Sequence, residues 1–178
     1  MSEEKLPRRK RTRLEEFDYS TPGAYFITIC TENRRNLLGK IVGGGVPDAP
    51  QMQLSPMGKQ VARQIRQADK AQRVTIHKYV IMPNHVHMIL FVDDGASRTP
   101  PPTENGTTRA NDAIPRFVAG WKRLCHQTLG RKIFQRSYHD HVIRGEKDYL
   151  EIWQYIDSNA AKWAEDCFYN EAEEVENL

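Results

Sequence analysis

Val80-Ile81-Met82-Pro83-Asn84-His85-Val86-His87-Met88-Ile89-Leu90-Phe91-Val92 is the stretch whose reading decides the fold. Apolar and β-branched runs stand on either side of a Pro-Asn break. The segment therefore predicts a pair of strands, Val74–Val80 and His85–Val92, around the turn Met82-Pro83-Asn84. The run Met88–Val92 is uninterrupted, the pattern of a central, well-packed strand. Side chains two apart in a strand share a face, so His85 and His87 project together from a rigid support. Two imidazoles so placed offer two nitrogens to a divalent ion. An isolated His-x-His pair is more often structural than ligating, and two ligands do not complete a site. The pair needs partners from elsewhere in the chain.

Outward from this pair, Ala24–Cys30 is β-branched and aromatic and reads as a strand. Leu37–Val42 and Gln51–Leu54 flank a Gly-rich tip and read as a short hairpin. Ser55-Pro56 has the form of an N-cap followed by an N1 proline, opening a helix of about 13 residues. Downstream, residues 96–112 are rich in Pro, Thr, Gly and Asn and are expected to form a mobile loop. Ile114–Leu129 is a second helix with Phe117, Trp121, Leu124 and Cys125 spaced for one buried face, Ile133–Arg144 a further strand, and Asp148 to about Phe168 a third helix. Strand, helix, strand pair, helix, strand, helix is the order of an α+β sandwich on a mainly antiparallel sheet.

The chain has 178 residues, 39% hydrophobic and 28% charged, enough for one domain with a real core. Residues 15–168 are expected to form that domain, between a basic arm over 1–14 and an acidic tail over 169–178. Net charge is only +3, but Arg8, Arg9, Lys10, Arg11 and Arg13 cluster near the N-terminus. Such a run suits a polyanion, or else a solubilising tail. Lys122, Arg123 and Arg136 join it as candidate contacts for such a polyanion. No stretch reaches the roughly 20 apolar residues that cross a bilayer, and no signal-peptide core stands at the N-terminus. Cys30, Cys125 and Cys167 give neither a disulfide framework nor a zinc pair, so a soluble, cytoplasmic protein is expected.

Among the seven tyrosines, Tyr155 stands out because Asn159 follows it by four in a helix, on the same face and one turn away. The amide oxygen of Asn159 suits a hard cation. By itself a tyrosine in an amphipathic helix is usually a core residue, and the combination with His-x-His carries the signal. His139-Asp140-His141 repeats the spacing in a more polar run and reads as cleft lining or bracing, with less claim to a metal.

At these residues the chain resembles the single-tyrosine HUH transposases, named for histidine, hydrophobic residue, histidine. Val80 to His87 matches their hallmark, and Tyr155-Ile156-Asp157-Ser158-Asn159 resembles their nucleophile helix. Gln135 to Arg144 is most similar to the branch associated with repetitive extragenic palindromes, the REP-associated tyrosine transposases. The resemblance spans roughly residues 15–165. It implies a ferredoxin-like sheet with the histidines on its central strand. It implies Mg²⁺ or Mn²⁺ held by His85, His87 and Asn159. It also implies Tyr155 as nucleophile on single-stranded DNA near a hairpin, acting as monomer or homodimer. Attack would leave a 5′-phosphotyrosine and a free 3′ hydroxyl, followed by strand transfer. The branch usually follows its asparagine with proline, whereas Ala160-Ala161 follows here, so the helix is expected to continue unbroken.

Two other readings use the same residues. One is a non-catalytic, repressor-like DNA-binding protein on this fold. The other is a metal-dependent hydrolase of small phosphoesters, which needs an acidic third ligand, with Asp93-Asp94 as the candidate.

Overall fold

A computed structural model of the chain describes residues 19, 21–43, 49–68, 73–93 and 113–170. The expected basic arm, the loop over 96–112 and residues 171–178 of the acidic tail lie outside these. The strands are β1 (Gly23–Cys30), β2 (Gly39–Val42), β3 (Gln51–Leu54), β4 (Val74–Met82), β5 (His85–Val92) and β6 (His139–Val142). The helices are α1 (Pro56–Ala68), α2 (Ala113–Leu129) and α3 (Glu146–Ser158).

Four strands form one sheet in the order β4-β5-β1-β6, and β2-β3 make a separate hairpin. Every neighbouring pair in the large sheet is antiparallel. With the hairpin set aside, the chain runs β1-α1-β4-β5-α2-β6 with β1 and β5 central. That is the ferredoxin-like order expected from the resemblance.

The pleat divides the sheet into two faces with different work. Tyr25, Ile27 and Ile29 of β1 and Val86, Met88, Leu90 and Val92 of β5 join Val61 and Ile65 of α1 and Phe117, Trp121 and Cys125 of α2 in the core, whereas Leu124, expected on the same face, is exposed. The alternate residues, Phe26, Thr28 and Cys30 on β1 with His85 and His87 on β5, face the other way, where α3 lies. Thr28 stands opposite His87 and Cys30 opposite His85.

Among the residues of α3 only Ile156 is buried. Directional contacts therefore carry much of the positioning of this helix. The Lys78 ammonium lies 2.6 Å from Asp157 and 3.8 Å from the Trp153 ring centroid. His77 stacks on Phe91 with centroids 5.0 Å apart and lies 3.1 Å from the Tyr149 hydroxyl.

Ser55 opens α1 as its sequence predicts. Its hydroxyl accepts the Gly58 N–H at 3.0 Å and donates to the Leu37 carbonyl at 2.7 Å, while its own N–H donates to Leu38 at 2.9 Å. One residue thus caps the helix and ties it to the start of β2.

Two expected elements are shorter than their sequence pattern suggests. The strand over 133–144 pairs as a strand only at His139–Val142, with an isolated bridge between Phe134 and Thr31. Between them, the carbonyls of Gln135, Arg136 and Ser137 converge on the Lys122 ammonium at 2.8, 3.3 and 2.9 Å. Carbonyls drawn to one point cannot also serve a ladder. The helix expected to reach Phe168 ends at Ser158, and a short 3-10 turn follows at Trp163–Glu165. Beyond it the chain returns over β5, because the Asn84 amide takes the Phe168 carbonyl at 2.8 Å and Phe168 packs 4.8 Å from the His85 ring. No helix among the described residues is long and apolar enough to cross a membrane.

Gly58 gives a test of sign. Glycine to alanine within a helix ordinarily stabilises by about 0.5–1 kcal/mol. Here a Cβ would run into the Leu38 carbonyl, which is backbone and cannot swing aside. Gly58→Ala is expected to destabilise by about 1–3 kcal/mol, read from the urea midpoint. A stabilised variant would contradict this packing.

Candidate active site

His85 and His87 are almost fully buried, at 0% and 1% exposure. Each imidazole is held by a neighbour at Nδ1. His85 Nδ1 lies 2.9 Å from Asn84 Oδ1, and His87 Nδ1 lies 2.8 Å from the Thr28 hydroxyl. The Asn84 oxygen can only accept, so His85 carries its proton on Nδ1 and presents a bare Nε2. That Nε2 is buried with no hydrogen-bond partner. A buried acceptor left unmade costs about 1–3 kcal/mol unless something else satisfies it.

Tyr155 and Asn159 come to the same place from α3. The Tyr155 hydroxyl lies 3.2 Å from His87 Nε2 and donates to Asp166 Oδ2 at 3.0 Å. The tyrosine is 37% exposed, so a polymer can reach it. Asn159 is buried, and although the helix closes at Ser158 its backbone remains helical, with φ −59 and ψ −43. The Tyr155–Asn159 spacing therefore holds. Asn159 Nδ2 donates to Asp166 Oδ2 at 3.1 Å, which leaves its Oδ1 buried without a partner.

Asp166 is the residue that sequence reasoning missed. Its Oδ1 accepts the Phe168 N–H at 2.7 Å. Ligand atoms of His85, His87 and Asp166 all lie within 4.8 Å of one another, so the three could bind one metal ion. The acid expected near the histidines in the hydrolase reading was Asp93-Asp94. Asp93 follows the end of β5, six residues beyond His87 and so about 20 Å away along the strand. Asp94 lies outside the described residues.

The donor set fits a divalent ion: two imidazole nitrogens, a carboxylate and an amide oxygen, with two of the four ligand atoms otherwise unsatisfied. Electrostatics agree. Burial pushes the His85 pKa down to about 4, with Asp166 opposing and Arg34 adding to the effect. Burial, then the neighbouring His85, holds His87 well below its usual range. Both imidazoles are neutral at pH 7, the form that ligates metals. Burial, followed by the Asp166 charge and hydrogen bond, raises the Tyr155 hydroxyl above the usual tyrosine range. The phenol is protonated at neutral pH, and a nucleophilic role would require both a proton acceptor and a nearby cation.

His139 and His141 stand on β6 in register with Thr28 and Phe26. His141 Nε2 pairs with Asp148 at 2.8 Å, and His139 lies at the rim, 6.2 Å from the Phe168 ring. Of the candidate DNA contacts, Arg123 and Arg136 are exposed, whereas Lys122 is buried with its ammonium committed to three carbonyls. Lys122 thus braces the loop after α2, and the expected phosphate contact does not suit this geometry. Arg8, Arg9, Lys10, Arg11 and Arg13 lie outside the described residues.

The strand order and the helices define an α+β protein with a ferredoxin-like sheet, a fold it shares with a solved transposase structure. Superposition on the structure of a REP-associated tyrosine transposase bound to a REP hairpin gives a TM-score of 0.60 at 21% identity, over 86% of this chain and 74% of that one. The chain belongs to one family with an uncharacterized protein of Haemophilus influenzae strain Rd. The two are 33% identical over 175 residues, covering 90% of this chain and 93% of the other. No family model matches the chain.

The buried histidines set a pH dependence. An unfolded histidine takes up a proton near pH 6.5, whereas folded His85 stays neutral down to about pH 4. Between these values the unfolded chain binds more protons, so stability of the metal-free protein should fall as pH drops through that window. Urea midpoints at pH 7.0, 5.5 and 4.5 measure it. His87→Gln should flatten the dependence, and a wild-type midpoint that rises towards pH 4.5 would contradict burial of neutral imidazoles.

Proposed function

We propose that the chain is a metal-dependent DNA nickase and strand transferase of the transposase type, with Tyr155 as nucleophile. The observation that carries this reading is the convergence of Tyr155 with two orphaned ligand atoms. Its hydroxyl lies 3.2 Å from His87 Nε2 and shares Asp166 with Asn159, while His85 Nε2 and Asn159 Oδ1 lack partners.

His85, His87 and Asn159 would hold Mg²⁺ or Mn²⁺, with Asp166 within reach as a further oxygen ligand. When bound, the ion would supply Lewis acidity at the scissile phosphate. Tyr155 Oη attacks phosphorus, and the bond to the 3′ oxygen breaks. The phenolic proton passes to Asp166 Oδ2, already its hydrogen-bond acceptor. The 3′ oxygen leaves with the electron pair and is protonated from solvent, giving a 5′-phosphotyrosine and a free 3′ hydroxyl. One diester replaces another, so a second 3′ hydroxyl can reverse the step and complete strand transfer.

The substrate is single-stranded DNA beside a hairpin, a reading supported by the fold shared with a transposase bound to a REP hairpin. Arg123, Arg136 and the arm of Arg8, Arg9, Lys10, Arg11 and Arg13 contact phosphates. The protein works in the cytoplasm, at the nucleoid.

A hairpin oligonucleotide labelled at its 3′ end reports the reaction on a denaturing gel, because the labelled fragment stays on the protein. Adduct should form with Mn²⁺ and not with EDTA. Tyr155→Phe should abolish it while DNA binding stays within about 3-fold, since the ring keeps its packing. His85→Ala should also abolish it. Thr28→Val, which removes only the hydroxyl beside His87 Nδ1, should weaken metal affinity about 10–100-fold. An adduct on the Phe variant, or one formed in EDTA, would overturn the assignment. DNA binding with no adduct under any metal would favour the repressor-like reading.

A further inference from the structure

The candidate ligand side chains differ in what already occupies their donor atoms. His85 Nε2 and Asn159 Oδ1 are buried without a hydrogen-bond partner. His87 Nε2 is different, because the Tyr155 hydroxyl lies 3.2 Å from it. The two imidazoles are close, with ring centroids 4.4 Å apart. The metal site and the proposed nucleophile therefore meet at one nitrogen.

That nitrogen cannot serve both. An imidazole Nε2 has a single in-plane position, which carries a proton, accepts one hydrogen bond or ligates an ion. If the Tyr155 hydroxyl donates to it, the lone pair is used. If Nε2–H donates to the phenol oxygen, no lone pair is left. In either case ligation at Nε2 breaks the contact with Tyr155.

His87 is built to allow the exchange. Asn84 Oδ1 can only accept, which fixes the His85 proton on Nδ1. The partner of His87 Nδ1 is the Thr28 hydroxyl at 2.8 Å, which donates or accepts as it rotates. The His87 proton can therefore stand on Nε2 while Tyr155 is engaged, and on Nδ1 once it is not. Phe26 stacks on the His87 ring with centroids 5.0 Å apart, so the imidazole keeps its place through the change.

Release costs little on the tyrosine side as well. Tyr155 is half-exposed, so its hydroxyl can turn towards water without becoming a buried, unmade polar group. Its hydrogen bond to Asp166 Oδ2 at 3.0 Å does not involve His87 and can persist.

We propose that the Tyr155 hydroxyl and a divalent ion compete for His87 Nε2, so that the resting protein holds its tyrosine against the metal site and ligation at His87 releases it. The proposal rests on the metal-dependent reading above and adds an order of events to it, in which the hydroxyl is freed once the ion is in place.

The test measures Mn²⁺ affinity in the absence of DNA, from the loss of the free-ion paramagnetic resonance signal. Wild type is compared with Tyr155→Phe and with Tyr149→Phe. Tyr149 lies on the same helix, but its hydroxyl is 3.1 Å from His77 on β4. Removing a hydrogen bond that opposes ligation should tighten Mn²⁺ binding about 2–10-fold in Tyr155→Phe. Tyr149→Phe should bind as wild type does. Equal affinity of Tyr155→Phe and wild type overturns the proposal. Weaker binding overturns it too, since the hydroxyl would then be a ligand. Equal tightening by both variants does the same, because α3 would simply have loosened. Adduct formation by wild type on a hairpin oligonucleotide with Mn²⁺ is scored in parallel. Adduct with unchanged affinity in Tyr155→Phe sinks the competition alone. Tighter binding by Tyr155→Phe without adduct in wild type keeps the competition and sinks the catalytic reading. No Mn²⁺ binding by any of the three proteins overturns both.

Discussion

Asn84, in the turn between β4 and β5, has no exposed surface, and its side-chain nitrogen and oxygen are both committed. The two N–H groups of Nδ2 are shared among the Arg34 carbonyl at 3.2 Å, the Phe168 carbonyl at 2.8 Å and Asn170 Oδ1 at 3.1 Å. With acceptors on that side, Oδ1 must be the atom facing His85. The Asn84 backbone carbonyl accepts both the N–H and the hydroxyl of Thr31, at 2.9 and 3.0 Å. One residue therefore fixes the His85 tautomer and folds the 159–170 segment back over β5 through its side chain, and joins both to the end of β1 through its backbone carbonyl. Removing it would leave several buried polar groups unmade, each costing about 1–3 kcal/mol.

From that contact the division of labour follows. The histidines sit on a central strand of the sheet, buried on both faces, which holds their orientation when something binds. Tyr155 sits on a helix with a single buried residue and several polar tethers. It is half-exposed and shares its proton between Asp166 and His87. Under the proposed function, a fixed imidazole pair with a reachable hydroxyl suits a reaction that releases one DNA end and accepts another. Asp166 restrains this arrangement: it raises the phenol pKa through its charge, yet it is also the acceptor through which the proton can leave.

Much of this was legible in the sequence, and the parts that were not share a cause. The apolar run after His85 fixed a central strand, period two put both imidazoles on one face, and four-residue spacing put Asn159 one turn from Tyr155. Asp166 was hidden by the expectation of a continuous helix. On such a helix it shares the face of Asn159, but seven residues at about 1.5 Å each would carry it about 10 Å beyond. Beyond Ser158 the segment is held by Asn84 and by aromatic packing on His85, contacts that periodicity cannot register. Lys122 reads in sequence as a surface cation. Its four-carbon stem reaches the carbonyls of a loop more than a dozen residues later, which no local pattern encodes.

The account turns on which atom becomes bonded to DNA, and peptide mass spectrometry of the trapped adduct answers that directly. After Mn²⁺-dependent reaction with a hairpin oligonucleotide and digestion by nuclease and trypsin, the peptide from Asp148 to Lys162 contains both Tyr149 and Tyr155. Fragment ions separate the two. The account expects the 5′-nucleotide mass on Tyr155, and a modification on Tyr149 or Tyr138 instead would contradict it.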